Sequence, residues 1–349
     1  MERRRLGSTG YTVSELGFGA SPLGGVFGPI TSEEDAVRAV REAVDAHGIN
    51  LFDTSPYYGN TESERVLGKC LSQLGDRDAY VLATKVGRYG RDEFDYSAAR
   101  VRASVVESMQ RLRVRRLDIV QCHDVEFADR WQIIAEETLP ALARLRDEGV
   151  IGAIGLTGLP LSVYPTILEH TAVEVDVALS YCHACLCDTS LADSGVLRYL
   201  YEKGVGVLNA SPLCMGLLTE RGPPPWHPAP PALKAHCAAA ARWVTEHAME
   251  CTGTPVTIAE LALPYAVRCV GDGRIASTLV GIDSHATLSK NVQALRAPLN
   301  ERLLQQVLRM LAPVHNQSWP SGAAWAQHDA IPMMEGREGA REQGDGICP

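Results

Sequence analysis

The chain has no run of lysine or arginine longer than Arg3-Arg4-Arg5, and its 33 basic residues are outnumbered by 42 acidic ones, giving a net charge of −9. A chain of that charge is a poor ligand for nucleic acid, so none is expected as a partner. No apolar stretch approaches the roughly 18 residues of a membrane span, so no membrane partner is expected either. The leading Met1-Glu2-Arg3-Arg4-Arg5-Leu6-Gly7 lacks the apolar core of a signal peptide, which makes the cytoplasm the expected compartment. A Gly-rich dinucleotide turn is also missing. Its best candidate, Gly17-Phe18-Gly19-Ala20-Ser21-Pro22, has proline where the third glycine belongs.

A second set of metal-ligand spacings is absent too. Ten cysteines are scattered through the chain, and without a secretory signal they are expected as reduced thiols. The string Cys182-His183-Ala184-Cys185-Leu186-Cys187 has side chains that suit zinc. No further pair elsewhere has ligand spacing, and four ligands in so short a string are cramped. It reads as a loop after a strand, and no metal is expected.

What is present is a regular alternation. The 349 residues are 46% hydrophobic, enough for one large α/β domain or two smaller ones. Expected strands are 16–19, 50–53, 80–84, 118–122, 151–156, 175–180, 205–209 and 276–280. Helices are expected over 31–47, 62–74, 97–112, 131–147, 161–170, 196–203, 231–249, 258–268 and 287–295. Thr31-x-x-Glu34 reads as the capping box of the first helix. Eight strand–helix units predict an α/β fold, a parallel (β/α)8 TIM barrel, occupying residues 1–334 as a single domain. A doubly wound sheet is the alternative, disfavoured by the missing glycine turn. Residues 5–13 read as an N-terminal hairpin plug, 223–231 as a Pro-rich lid or connector, and 335–349 as a disordered tail. Pro264 falls inside an expected helix, and 250–254 looks like a small insertion.

Active sites of such barrels lie at the C-terminal strand ends. Asp53 closes the second strand, Lys85 follows the third, His123 follows the fourth, and Tyr58 lies in the loop after the second. A lone Asp, Lys or His at a strand end is usually structural; the four together on successive units are not readily dismissed. A free phenol titrates near ~10, too high for efficient proton transfer at neutral pH. A buried lysine cation beside Tyr58 is expected to lower that value, with Asp53 holding Lys85 charged. His123 can hydrogen-bond a substrate oxygen. A site that moves a proton on an alcohol oxygen pairs naturally with hydride transfer to a nicotinamide cofactor. Tyr57, Tyr89, Phe94 and Trp319, with His123, are candidates to line a sugar or aldehyde pocket.

At these residues the chain resembles the aldo-keto reductase superfamily over roughly 5–320. The resemblance rests on Leu16-Gly17-Phe18-Gly19, Asp53-Thr54-Ser55-Pro56-Tyr57-Tyr58-Gly59, Thr84-Lys85, Ser211-Pro212-Leu213 and Asn291. Longer strings, among them Cys122-His123-Asp124, Thr157-Gly158-Leu159-Pro160-Leu161 and Trp319-Pro320-Ser321-Gly322, are similar to its plant-type sugar dehydrogenase branch. That resemblance implies NAD-dependent oxidation of L-galactose at C1 to L-galactono-1,4-lactone, a step of ascorbate synthesis, by a monomer or weak homodimer. It implies Tyr58 as proton acceptor, tuned by Lys85 and Asp53, with His123 on the C1 oxygen. It places Thr157, Gly158 and Ser180 at the nicotinamide amide and Ser211, Leu213 and Gly216 at the pyrophosphate. Gly281, Asp283, Thr287 and Asn291 fall at the adenosine ribose. The segment 281–287 contains no Lys or Arg to pair with a 2′-phosphate, which favours NAD. Departures are Ala210, where many members stack an aromatic ring, and Thr157-Gly158 in place of Ser-Asn. The same tetrad also fits a broader aldose or aldehyde dehydrogenase (L-fucose, D-arabinose, pyridoxal) or a cofactor-binding regulatory subunit.

Overall fold

The computed structural model describes residues 1–28 and 32–327. Its ten strands are β1 (Arg3–Arg5), β2 (Thr12–Ser14), β3 (Leu16–Gly19), β4 (Leu51–Asp53), β5 (Val81–Val86), β6 (Leu117–Cys122), β7 (Ile151–Gly158), β8 (Val177–Tyr181), β9 (Gly206–Ala210) and β10 (Ile275–Gly281). Strands β3 to β10 run parallel and close into a barrel in which β10 pairs with both β9 and β3. Helices between successive strands cover its outside. The eight expected strands are therefore all present, each within two residues of its expected bounds.

The barrel interior is filled by one inward side chain after another, including Leu51, Val81, Ile119, Val177, Leu208 and Leu279. Leu6 and Val13, both fully buried, join this cluster from the N-terminal hairpin. The β1–β2 ladder pairs Arg3 with Ser14 and Arg5 with Thr12, so the hairpin lies across the N-terminal mouth. With that mouth plugged, the C-terminal ends are the open face of the barrel.

Several local expectations need correction. The first helix, Glu33–Asp45, is capped by Ser32, whose side chain accepts from Asp35 N. Thr31 lies outside the described residues, as does the 335–349 tail. The expected 131–147 helix is interrupted: Trp131–Ile133 leads into a π-helical turn over Ile134–Thr138, then Leu139–Asp147. Pro140 at the start of that last segment has no N–H to continue an α ladder across the break. A helix over Glu301–Leu311 was not expected; Asn300 caps it, and Leu303, Leu304, Val307 and Leu311 are its buried side. Pro264 sits inside Ile258–Arg268, whose N-terminus is fixed by a Thr257/Glu260 capping box. Within residues 250–254 the helix Pro231–Thr252 ends, stopping at Gly253 in the left-handed region. The Pro-rich 223–231 stretch is a docked connector. Its buried His227 lies 3.1 Å from the Cys214 carbonyl through Nε2, and Lys234 donates to the His227 carbonyl (2.6 Å).

Candidate active site

β4 ends at Asp53, and the chain then turns sharply to place Tyr58 over the strand ends. Thr54 and Ser63 hydroxyls lie 2.8 Å apart, and Ser63 donates to the Ala20 carbonyl (2.7 Å). Gly59 has φ +61° and packs against the Gly24 backbone so closely that a Cβ would collide with it. Only glycine satisfies both conditions, so the Tyr58 loop is pinned to the loop after β3.

Lys85 is 1% exposed and Asp53 4% exposed. Lys85 Nζ donates to Asp53 Oδ1 (2.5 Å) and to the Thr54 carbonyl (2.9 Å). Gln121 Nε2 donates to the other Asp53 oxygen (3.0 Å). Burial alone would lower the ammonium, but the Asp53 carboxylate and the Tyr58 phenol outweigh it and raise its pKa. The pair is therefore an ion pair with both ends hydrogen-bonded, the condition under which buried charges persist. Lys85 Nζ also stands 4.9 Å from the centre of the Tyr58 ring.

For Tyr58 the expectation of a lowered pKa fails. Burial is the largest effect and raises the phenol to about 12; Lys85 opposes it, while Asp53 and Asp124 add to it. Desolvation of the phenol, with two carboxylates adding to it, overcomes one ammonium. His123 meets Tyr58 edge-on, with ring centres 5.6 Å apart. Burial drives its pKa down to about 3, so the ring is neutral. Its Nδ1 lies 2.9 Å from Ser55 Oγ, which in turn accepts the Tyr57 N–H (3.1 Å).

Around His123 stand Arg88 and Phe127, which the sequence did not single out. Arg88 donates to Asp124 Oδ2 (2.5 Å) and to Tyr57 Oη (3.2 Å), and lies 3.9 Å over the Tyr57 ring. Phe94 and Phe127 stack on each other at 4.6 Å and flank the same guanidinium. Among the substrate candidates, Tyr57 and His123 stand together, with ring centres 5.9 Å apart. Tyr89 accepts from Gly87 N (3.1 Å) and lies under Arg100. Trp319 packs edge-on against His227.

Residues 15–311 match the aldo/keto reductase family. The chain belongs to that family. It is 48% identical to the L-galactose dehydrogenase of Arabidopsis thaliana, over 92% of this chain and 98% of that one. It is 33% identical to the D-arabinose 1-dehydrogenase of Saccharomyces cerevisiae, over 79% and 84% respectively. The holo form of an aldo-keto reductase from Bacillus halodurans superposes with a TM-score of 0.69 at 27% identity, covering 92% of this chain and 99% of that one. An aldo/keto reductase is an oxidoreductase that uses a nicotinamide cofactor, and two buried groups here fit one. Ser180 Oγ and Asn291 Nδ2 are buried without a hydrogen-bond partner, at the positions expected for the nicotinamide amide and the adenosine ribose. A bound ligand or an ordered water would satisfy such groups.

The other expected cofactor residues have the following neighbours. The Thr157 hydroxyl is already engaged, accepting from Asp124 N (2.9 Å) and donating to Asp124 Oδ1 (3.4 Å). Asp283 Oδ1 accepts from Ser284 (2.8 Å) and Thr287 (2.6 Å) at the start of the helix His285–Arg296. Gly158 lies against Val163 and the Glu126 carboxylate, and Gly281, at the end of β10, against Pro22. Ser211, Leu213 and Gly216 form the turn after β9, with Ser211 and Gly216 at positive φ. Cys122 is fully buried, and burial pushes its thiol pKa up, so it is not a reactive thiol.

Glu126 is buried beside this site. Leu159 N (3.1 Å) and Ser321 Oγ (3.0 Å) donate to its Oε1, while Oε2 has no partner. Burial, reinforced by Asp124, raises its pKa from 4.5 to about 8. The native state thus retains a proton that the unfolded chain releases. Stability should fall as pH rises from about 4.5 towards about 8, by an amount on the order of a few kcal/mol. Calorimetric melting of wild type and Glu126→Gln across that window tests this: the substitution should flatten the fall, and identical slopes would contradict it.

Proposed function

We propose that this aldo/keto reductase oxidises L-galactose at C1 to L-galactono-1,4-lactone with NAD. The observation that carries the chemistry is Tyr58 set between the Lys85–Asp53 ion pair and a neutral His123. The substrate rests on 48% identity to the Arabidopsis enzyme over 92% of this chain. The bound nicotinamide supplies the hydride acceptor. As the phenolate, whose charge Lys85 stabilises, Tyr58 takes the proton of the C1 hydroxyl and becomes the neutral phenol. Ser55 accepts the Tyr57 N–H and can give its own proton to His123 Nδ1. That sets His123 with its proton on Nε2, a donor for the C1 oxygen. Tyr57, Arg88 and Asp124 adjoin the same ring and offer a hydroxyl, a cation and a carboxylate to the sugar hydroxyls. We place the step in ascorbate synthesis, in the cytoplasm, carried out by a monomer or weak homodimer.

Preference for NAD is supported by the charge around His285. The sequence showed no cation in 281–287, but Arg38 comes within 3.4 Å of His285 Nε2. Two carboxylates balance it: Glu42 lies 2.6 Å from His285 Nδ1, and Asp35 accepts His285 N (3.2 Å). An added 2′-phosphate there meets more negative than positive charge. The test is NADH formation with L-galactose, with NAD and NADP in parallel and L-fucose and D-arabinose as competing substrates. Turnover should be fastest with L-galactose and NAD. Faster turnover of another aldose would favour the broader sugar dehydrogenase, which the similarity to the yeast enzyme supports. Cofactor binding without turnover of any substrate would favour a regulatory subunit.

A further inference from the structure

The cysteine string that the sequence analysis set aside acquires a different composition in three dimensions. His183 leaves it: its Nδ1 faces Ser190 (2.8 Å) and Asp188 (3.3 Å), and its Nε2 faces the Leu159 carbonyl (2.8 Å). Cys214, from the turn after β9, enters it. The sulfurs of Cys185, Cys187 and Cys214 all lie within 4.8 Å of one another, the one such group of potential metal ligands among the described residues. All three side chains are buried, at 0%, 1% and 2% exposure. A tight loop holds the first two: Cys185 N donates to the Asp188 carbonyl (2.8 Å) and Asp188 N returns the bond (3.3 Å), with the two sulfurs 3.5 Å apart. Two more thiols adjoin the group, Cys182 beside Cys214 and Cys237 beside Cys187.

The spacing discriminates between possible uses. A disulfide needs sulfurs at about 2.05 Å. Three thiolates at about 2.3 Å from one ion stand roughly 3.8–4.0 Å from each other. The 3.5 Å between the Cys185 and Cys187 sulfurs is too long for a disulfide, and all three sulfurs are close enough to converge on one ion. Soft thiolates select soft metals of filled d shell, whose lack of geometric preference tolerates three or four sulfurs.

We propose that Cys185, Cys187 and Cys214 form a buried three-thiolate site for a soft d10 metal ion, Cu(I) or Zn(II). Binding exchanges three S–H protons for three metal–sulfur bonds with no change of oxidation state. Cu(I) is complete with three sulfurs; Zn(II) draws a fourth from Cys182 or Cys237. The ion ties the loop after β8 to the turn after β9.

The experiment uses the full reduced chain, stripped of metal, with Cd(II) as spectroscopic probe. One equivalent should produce a saturating thiolate-to-metal charge-transfer band in the near ultraviolet. The band should be lost in both Cys185→Ala and Cys214→Ala, which lie on separate loops, and kept in Cys70→Ala. Melting of each metal-free variant, compared with metal-free wild type, shows that it is folded. Competition by Zn(II) against Cu(I) with a copper-selective chelator then assigns the ion. A band that does not saturate at one equivalent, that survives in either folded loop variant, or that neither ion displaces would overturn the proposal.

Discussion

Tyr58→Phe should lower kcat for sugar oxidation by about 10²–10⁴-fold while leaving the melting temperature near that of wild type. Without the phenol oxygen Lys85 keeps its bonds to Asp53 and the Thr54 carbonyl, whereas the reaction loses its proton acceptor. Because burial holds the free phenol at about 12, only a small fraction is ionised at neutral pH. The wild-type rate should therefore climb with pH across the range about 7 to 10, and the residual rate of Tyr58→Phe should not. Neutral His123, with its pKa near 3, contributes no titration in that range. Steady-state rates at saturating NAD, measured against pH for both proteins, provide the check. A Tyr58→Phe variant that retained wild-type kcat would assign the proton to another group.

Lys85→Met should cost about 3–5 kcal/mol of stability and abolish turnover together. Removing one partner strands the other charge in the core, and Asp53 would then have only Gln121. The double variant Asp53→Asn with Lys85→Met should regain most of the stability, since no unpaired charge remains, and none of the activity. Urea melts and turnover of the three proteins separate the two contributions. If Lys85→Met were as stable as wild type, Asp53 would have to be protonated in the native state, and the ion pair described here would be wrong. If the double variant regained activity, Lys85 would not be needed to stabilise the phenolate.

Much of the architecture was legible from local pattern. Strand runs such as Val81-Leu82-Ala83 and Asp118-Ile119-Val120 declare themselves, and the helix Ala98–Leu112 has buried Val101, Val105 and Leu112 at helical spacing. The Glu301–Leu311 helix was missed although its signals were present, with Asn300 before an apolar 303/304/307/311 pattern. The π-helical turn was not legible, because a ladder's register depends on how both ends dock, not on composition. Gln121 carried a weak signal as a polar residue after the apolar Ile119-Val120, and the structure places it on Asp53. Arg88 and Ser55 carried none; a charged residue and a hydroxyl near a loop are commonplace until their neighbours are known.

The sequence alone determined the eightfold alternation, the open end of the barrel and the four residues that meet there, since each follows from periodicity along a short segment. Only the tertiary structure decided what those residues are worth. Closure of the barrel sets Tyr58 among Lys85, Asp53 and Asp124, and the sum of burial and charge raises its pKa although the nearest partner lowers it. Closure brings Ser55 to His123 across 68 positions and Arg38 to His285 across 247. It also turns His183 out of the cysteine string and brings Cys214 in. Electrostatic energies and ligand sets depend on distances in space, and a parallel barrel makes neighbours of residues that sequence order keeps far apart.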